Sequence, residues 1–258
     1  MTKSRPLVVK LGGRLLQEPA AISALLTVCQ HIKQQRPLLL VHGGGAQVES
    51  WLQTFGFVTE KIDGQRLSPK EQMPVIAGAL AGAVNAELVA LADGAALKPV
   101  GLTLGAGGSC CFERIARLGA VAKALPGKPE LLQVLLAQDF TPVLSSIGHL
   151  DGELLNINAD LAAAALCQLL QGDLLLLTDV PGILQADGSL IADLHATEAA
   201  SLVAAGVIQG GMKVKLDAAL ETAQALQRSI VVAGWQQPDL LLALLAGQAV
   251  GTCIHPSV

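Results

Sequence analysis

Five charged residues stand beside glycine turns or at the ends of apolar runs: Lys10, Arg66, Asp160, Asp179 and Lys215. Lys10 closes the apolar run Leu7-Val8-Val9 and is followed by Leu11-Gly12-Gly13, while Leu38-Leu39-Leu40-Val41 runs into His42-Gly43-Gly44-Gly45. Consecutive glycines after a buried strand remove Cβ atoms, so backbone N–H groups can close on an anion. Two such turns, one carrying a lysine, fit a ligand with several phosphates; the competing reading is a pair of ordinary tight turns. Lys215 follows Gly210-Gly211 and is expected in the first turn of a helix. A lysine opposes the helix dipole there, so its position calls for a reason other than helix stability. Nucleophilic catalysis has no obvious candidate, because neither a Gly-x-Ser-x-Gly elbow nor a cysteine with an evident histidine partner is present. The Gly-x-x-x-x-Gly-Lys-Ser/Thr phosphate loop is also absent, so phosphates must be held by another architecture.

The elements that carry these residues alternate between apolar runs and helical periodicity, the pattern of βαβ units around a mainly parallel sheet. Strands are expected over 7–11, 38–41, 100–104, 142–146, 173–178, 230–233 and 251–254. Helices are expected over 19–32, from about 47, over 130–138, 161–170, 197–205, 210–226 and 239–245. Ser68-Pro69-Lys70-Glu71 reads as a capping box that opens a helix running to about Leu91. The middle of that helix, Ala77 to Ala83, is built of small residues; it suits either a subunit interface or close packing within one subunit. Asp63-Gly64 and Asp151-Gly152 are hairpin turn signals. Asn158 is placed to cap the helix that follows it, with Asp160 in its first turn. No linker separates the halves, and the role of the chain changes near Gly172.

Composition narrows the function classes. The 258 residues, 52% apolar and 15% charged, provide a large core. The uncharged stretches 72–86 and 240–258 are interrupted by Pro, Gly, Asn or Gln, which argues against a membrane span, and the start of the chain does not read as a signal peptide. A net charge of −4 and only 2% aromatics argue against nucleic-acid binding. Five scattered cysteines, without Cys-x-x-Cys spacing, suggest reduced thiols in the cytoplasm. A zinc site is not expected from cysteines and histidines so widely spaced.

Taken together and in order, Val9-Lys10-Leu11-Gly12-Gly13, His42-Gly43-Gly44-Gly45, Asn156-Ile157-Asn158-Ala159-Asp160, Thr178 to Leu184 and Gly210-Gly211-Met212-Lys213-Val214-Lys215 resemble the amino acid kinase family. Gly64-Gln65-Arg66-Leu67-Ser68 is similar to the substrate segment of those members that phosphorylate N-acetylglutamate on the route to arginine. The resemblance implies a three-layer α-β-α sandwich with a central, mainly parallel sheet. It implies an N-terminal lobe, 1–171, that binds acetylglutamate and dimerises, and a C-terminal lobe, 172–258, that binds ATP. By the same resemblance Lys10 and Lys215 stabilise the transferring phosphoryl group and Asp160 holds the two lysines. Gly12, Gly13 and Gly44 offer N–H groups to phosphates, and Gly44 and Gly45 border the acetylglutamate pocket. Arg66 grips the acceptor's α-carboxylate with help from Asn156. Asp179, Val180, Pro181, Gly182, Ile183 and Leu184, with Val207, Ile208 and Gln209, form the adenine and ribose pocket. Mg²⁺ comes with ATP, held mainly by phosphates and water, with no metal ligand assigned to the protein. Gly105-Ala106-Gly107-Gly108 lacks the acidic residue of some relatives and is given no role. Only six residues precede the first strand, which by resemblance implies a homodimer without arginine feedback.

Three other readings compete with this one. A kinase of the same family acting on carbamate, aspartate, glutamate or UMP is disfavoured by the Arg66 segment. An NAD-dependent oxidoreductase needs a Gly-x-Gly-x-x-Gly at the first strand, which offers only Gly12-Gly13. A non-catalytic binding protein on this fold has no need of Lys10, Asp160 and Lys215 together.

Overall fold

The computed structural model describes residues 4–257. In chain order its strands are β1 (Leu7–Leu11), β2 (Leu38–His42), β3 (Lys61–Ile62), β4 (Gln65–Arg66), β5 (Pro99–Thr103), β6 (Cys110–Arg114), β7 (Val121–Pro126), β8 (Thr141–Ser145), β9 (Ile147–Leu150), β10 (Glu153–Ile157), β11 (Asp173–Thr178), β12 (Asp193–Leu194), β13 (Ile230–Gly234) and β14 (Thr252–Ile254). Eight of them form the central sheet in the order β12-β14-β13-β11-β1-β2-β8-β5. Its pairs are parallel except β13 with β14. β1 pairs with β2 on one side and β11 on the other, so one sheet runs through both halves of the chain.

The unbroken apolar runs have a simple cause. A strand alternates faces, and in this sheet both faces are covered. Val8, Leu39 and Val41 enter one core with the helices Ala159–Leu170 and Gly210–Leu226. Leu7, Val9, Leu11, Leu38 and Leu40 enter the other with the helix Pro19–Lys33. Each such leucine is worth roughly 1.5–3 kcal/mol on burial. The result is the expected three-layer sandwich.

Several expectations are corrected. The capping box at Ser68 does not form: the first turn, Lys70–Gln72, is a 3-10 turn with no side-chain cap. The Ser68 hydroxyl instead accepts from Asn156 Nδ2 at 2.9 Å, because its backbone is already tied to Leu118 and Ala120. The helix runs on to Gly94 through a π-helical stretch, Gly78–Val84. Its small residues serve two directions, with Ala79 and Leu80 buried and Gly82 and Ala83 exposed. By length and apolar composition, Lys70–Gly94 is a helix that could cross a membrane; here its inner side packs on the sandwich. β6 and β7 escaped the sequence reading; with β9 and β10 they form a second, four-stranded sheet. Lys215 is the sixth residue of its helix, past the first turn, which weakens the dipole argument made for it.

Other local signals behave as their chemistry requires. Asn158 Oδ1 accepts from Asp160 N at 2.9 Å and Leu161 N at 3.2 Å, capping Ala159–Leu170. Asp63-Gly64 and Asp151-Gly152 both carry positive φ at both residues, as the tight hairpin turn between twisted strands demands.

Candidate active site

The centre of the site is a buried carboxylate shared by two ammonium groups. Alternation along β1 sends Lys10 to the same side as Val8, towards the helix Ala159–Leu170. The cap at Asn158 fixes that helix so that Asp160 meets Lys10, and the neighbouring helix brings Lys215 to the same place. Lys10 Nζ lies 3.1 Å and Lys215 Nζ 2.6 Å from Asp160 Oδ1. Lys215 Nζ also donates to Leu177 O at 3.4 Å. The three residues are only 8%, 7% and 6% exposed (Lys10, Asp160, Lys215), so water screens them little. Burial and the nearby Lys10 push Lys215 down to about 8, against the pull of Asp160. Burial alone would raise Asp160; the two lysines overcome it and hold its carboxyl below the usual carboxylate range. Two cations on one anion leave one positive charge in excess, and a buried excess of that kind is relieved by an anionic ligand.

The glycines are shaped to this cluster. A Cβ on Gly12 would collide with Lys10 Nζ, so the glycine makes room for the ammonium group. Gly13 has φ +63°, and a Cβ there would meet Asp179 Oδ1 at 2.6 Å. On the second loop a Gly44 Cβ would press on Leu80 at 2.8 Å, whereas one on Gly45 would point into open space. The helix Gly45–Thr54 begins here without a side-chain cap, leaving its first N–H groups to the cavity.

A cavity of about 460 Å³ joins these parts. Its wall includes Lys10, Gly12, Gly13, Gly44, Gly45, Arg66, Asn156 and Asp160, eight of the residues singled out from the sequence. Arg66 reaches it from β4, its side chain only 9% exposed and paired with Glu49 at 2.8 Å. Arg66 Nη2 also donates to Gly45 O at 3.3 Å, while buried Nη1 has no partner among the described residues. A guanidinium on the cavity wall suits an incoming carboxylate, which its planar fork can hold through two N–H groups. Glu49 was not anticipated; it follows Gly45 by one helical turn, and no motif marks it. The Thr59 hydroxyl, which donates to it, and then Arg66 hold its carboxyl below the ordinary range. His42, buried at the end of β2, is a structural group. Nδ1 lies 2.8 Å from Gly43 O, Nε2 lies 2.9 Å from Asn85 Nδ2, and burial lowers the imidazole to about 4.

The remaining predicted residues lie off this cavity. Lys215 touches it only through Asp160. Asp179 follows the end of β11, next to β1, with its Oδ1 accepting from Arg14 N at 3.2 Å and Trp235 Nε1 at 2.8 Å. Further along, Ile183 N donates to Thr252 Oγ1 at 2.7 Å, Gly182 packs on Thr252, and Leu184 bridges to Leu190. Val180 and Pro181 line the turn against Gly234. Val207 and Ile208 both donate to Leu202 O, and Gln209 Nε2 donates to Gly206 O. Ile183 and Ile208 are buried in one core cluster, and Gly64 of the β3–β4 hairpin comes within 3.0 Å of the Gly210 backbone, measured from its notional Cβ.

Both carboxylates on the cavity wall, Asp160 and Glu49, are already paired with cations. The described residues therefore fit a magnesium ion that arrives on phosphate oxygens and water, rather than one caged by protein ligands.

Comparison with known proteins agrees with this geometry. The profile of the amino acid kinase family matches residues 5–234. The chain is 48% identical over 255 residues to acetylglutamate kinase of Colwellia psychrerythraea, covering 98% of each chain. It is 46% identical to the enzyme of the same name from Moritella profunda, covering 97% of each. Among solved structures, N-acetylglutamate synthase from Neisseria gonorrhoeae superposes with a TM-score of 0.85 at 22% identity, over 99% of this chain and 60% of that one. Carbamate kinase from Giardia lamblia superposes at 0.72 and 16% identity, over the whole of both chains. The sheet order, the glycine turns and the sequence relatives converge: the chain belongs to the amino acid kinase family.

Proposed function

We propose that this enzyme transfers the γ-phosphoryl group of ATP to the side-chain carboxylate of N-acetylglutamate, giving N-acetylglutamyl phosphate and ADP in arginine biosynthesis. The observation that carries the reading is near-full-length identity of 44–48% to eight acetylglutamate kinases. The site supports it independently, with Arg66, Lys10 and Asp160 on one cavity wall and Lys215 paired to Asp160 behind it.

The chemistry asks little of acid–base catalysis. A glutamate side chain titrates near pH ~4.3, so the acceptor is already ionised at neutral pH. The obstacle is bringing that anion up to a polyphosphate. Lys10 and Lys215 supply positive charge at the transferring group, and Asp160 holds their ammonium groups in place. Backbone N–H groups of Gly12, Gly13 and Gly44 meet the phosphates, while Arg66 and Asn156 orient the acceptor through its α-carboxylate. Magnesium, bound to the nucleotide, neutralises phosphate charge. The adenine and ribose lie along Asp179–Leu184 and Val207–Gln209. In this reading 1–171 is the acetylglutamate lobe and 172–258 the ATP lobe. The protein works as a cytoplasmic homodimer, with five free cysteines in keeping with a reducing compartment. The small exposed residues Gly82, Ala83, Ala86 and Ala90 provide a smooth face for a second copy.

The test is ADP release from Mg·ATP with N-acetylglutamate set against glutamate, aspartate, carbamate and UMP, with hydroxylamine trapping the acyl phosphate. Activity confined to N-acetylglutamate and lost in Lys10→Ala and Lys215→Ala is the expected result. Activity with another acceptor alone would refute the assignment to N-acetylglutamate.

A further inference from the structure

At the far edge of the central sheet, residues distant in sequence form a cluster the phosphoryl-transfer site does not use. β12 and β14 pair in parallel with Asp193 opposite Cys253 and Leu194 opposite Ile254. Alternation puts Leu194 and Ile254 inward, both fully buried, and turns Asp193, His195, Cys253 and His255 to the other face. Asp193, Cys253 and His255 each bring a ligand atom within 4.8 Å of the other two. The His195 ring stacks on His255, centroids 4.7 Å apart and planes 20° apart. On the other side of β14, β13 sets Ile230 opposite Ile254, and just before that strand Ser229 Oγ lies 2.9 Å from His255 Nδ1.

We propose that Asp193, Cys253 and His255 form a binding site for a borderline-soft divalent cation of the zinc class. One thiol, one imidazole and one carboxylate are the donor types such a cation takes, at a spacing that small side-chain rotations close to a tetrahedral set. The fourth position is open to water. Ser229 supports the ring from behind: its hydroxyl oxygen, accepting a hydrogen bond from Nδ1–H, leaves the Nε2 lone pair for the metal. Nε2 now sits 2.7 Å from Asp193 Oδ1, a contact in which the cation replaces a proton. Binding forms a metal–sulfur bond and releases the Cys253 thiol proton to solvent. The stacked His195 fixes the ring plane of His255. Occupancy ties β12 to β14 next to Thr252, whose hydroxyl accepts from Ile183 N.

The test is titration of untagged, reduced, full-length protein with cobalt(II), whose thiolate charge-transfer absorption in the near ultraviolet reports a metal–sulfur bond. Because Cys111 is exposed, the titration is run in a Cys111→Ser background; Cys29, Cys110 and Cys167 are buried. One equivalent is expected to saturate the band, and zinc to displace it. Cys253→Ser should abolish the band, and His255→Ala should weaken binding by more than the roughly 10–100-fold expected of Ser229→Ala. Circular dichroism confirms that each variant is folded, and Ser229→Ala leaves all three ligands in place if either of the others is not. A band absent from the parent protein, or one surviving Cys253→Ser, would leave an ordinary Asp–His hydrogen bond and overturn the proposal.

Discussion

Asp160→Asn is the perturbation that tests the centre of the site most sharply. Asparagine keeps the shape and one acceptor oxygen, so the change removes charge and little else. In the native protein Asp160 Oδ1 accepts from Lys215 at 2.6 Å and faces Lys10 at 3.1 Å. Without the carboxylate charge, two buried ammonium groups face each other unpaired. Removing one partner of a buried ion pair costs about 3–5 kcal/mol. For a chain of this size 1 kcal/mol moves Tm by about 2–4 °C, so a fall of roughly 6–20 °C is expected by calorimetry. The same change should lower kcat/KM at least about 100-fold, as loss of a preorganised charge does. It also removes the group that holds Lys215 up against burial, so the basic limb of the pH–rate profile should move towards neutrality. Asp160→Asn with Lys215→Met should be less destabilised than Asp160→Asn alone, because one of the stranded charges is gone. A single variant that melts with the parent and keeps its pH profile would refute the claim that this carboxylate organises the lysines.

Arg66→Lys should raise the KM for the acceptor about 10-fold or more while changing kcat less, since an ammonium group cannot hold Glu49 and a carboxylate as a planar fork does; initial rates against acceptor concentration decide it, and an unchanged KM would remove Arg66 from the binding site. In the proposed reaction Lys215 acts as a cation, and it is pushed to about 8, so kcat/KM should hold below that pH and fall above it. Lys215→Arg should move the fall to higher pH whatever residual rate it has. His42 gives a stability prediction. Its folded value of about 4 lies below the ordinary 6.5, so the unfolded chain binds more protons between these values. The stabilisation is therefore complete above about pH 6.5 and is lost as pH falls towards 4, amounting to about 3 kcal/mol. Denaturant melts should show that slope in the parent protein and a shallower one in His42→Gln.

The mainly parallel sheet was legible because burial on both faces writes itself as unbroken apolar strands such as Leu38 to Val41, whereas the three-layer sandwich was implied only by the family resemblance. Lys10, Gly12 and Gly13 were legible for a related reason: a charge ending such a run and glycines where side chains should be are violations of local economy, and violations gather at sites. What failed to show were features fixed by tertiary register. β6 and β7 mix Cys, Phe, Glu and Arg with Ala, Lys and Pro, and their pairing comes from the second sheet. Ser68 looks like a helix cap in sequence, yet Asn156, 88 positions away, takes its hydroxyl. Glu49 is an unremarkable helical glutamate until the β3–β4 hairpin delivers Arg66 to it. The edge cluster makes the point most strongly. Asp193 and His255 are 62 positions apart, and scattered histidines and cysteines argued against a metal site. Strand pairing erases that separation and turns both side chains, with Cys253 between them, to one face. Sequence spacing therefore argues against a ligand set only within one element. Between paired strands the relevant spacing is the register, which fixes the Asp193 and Cys253 backbones side by side whatever occupies the chain between.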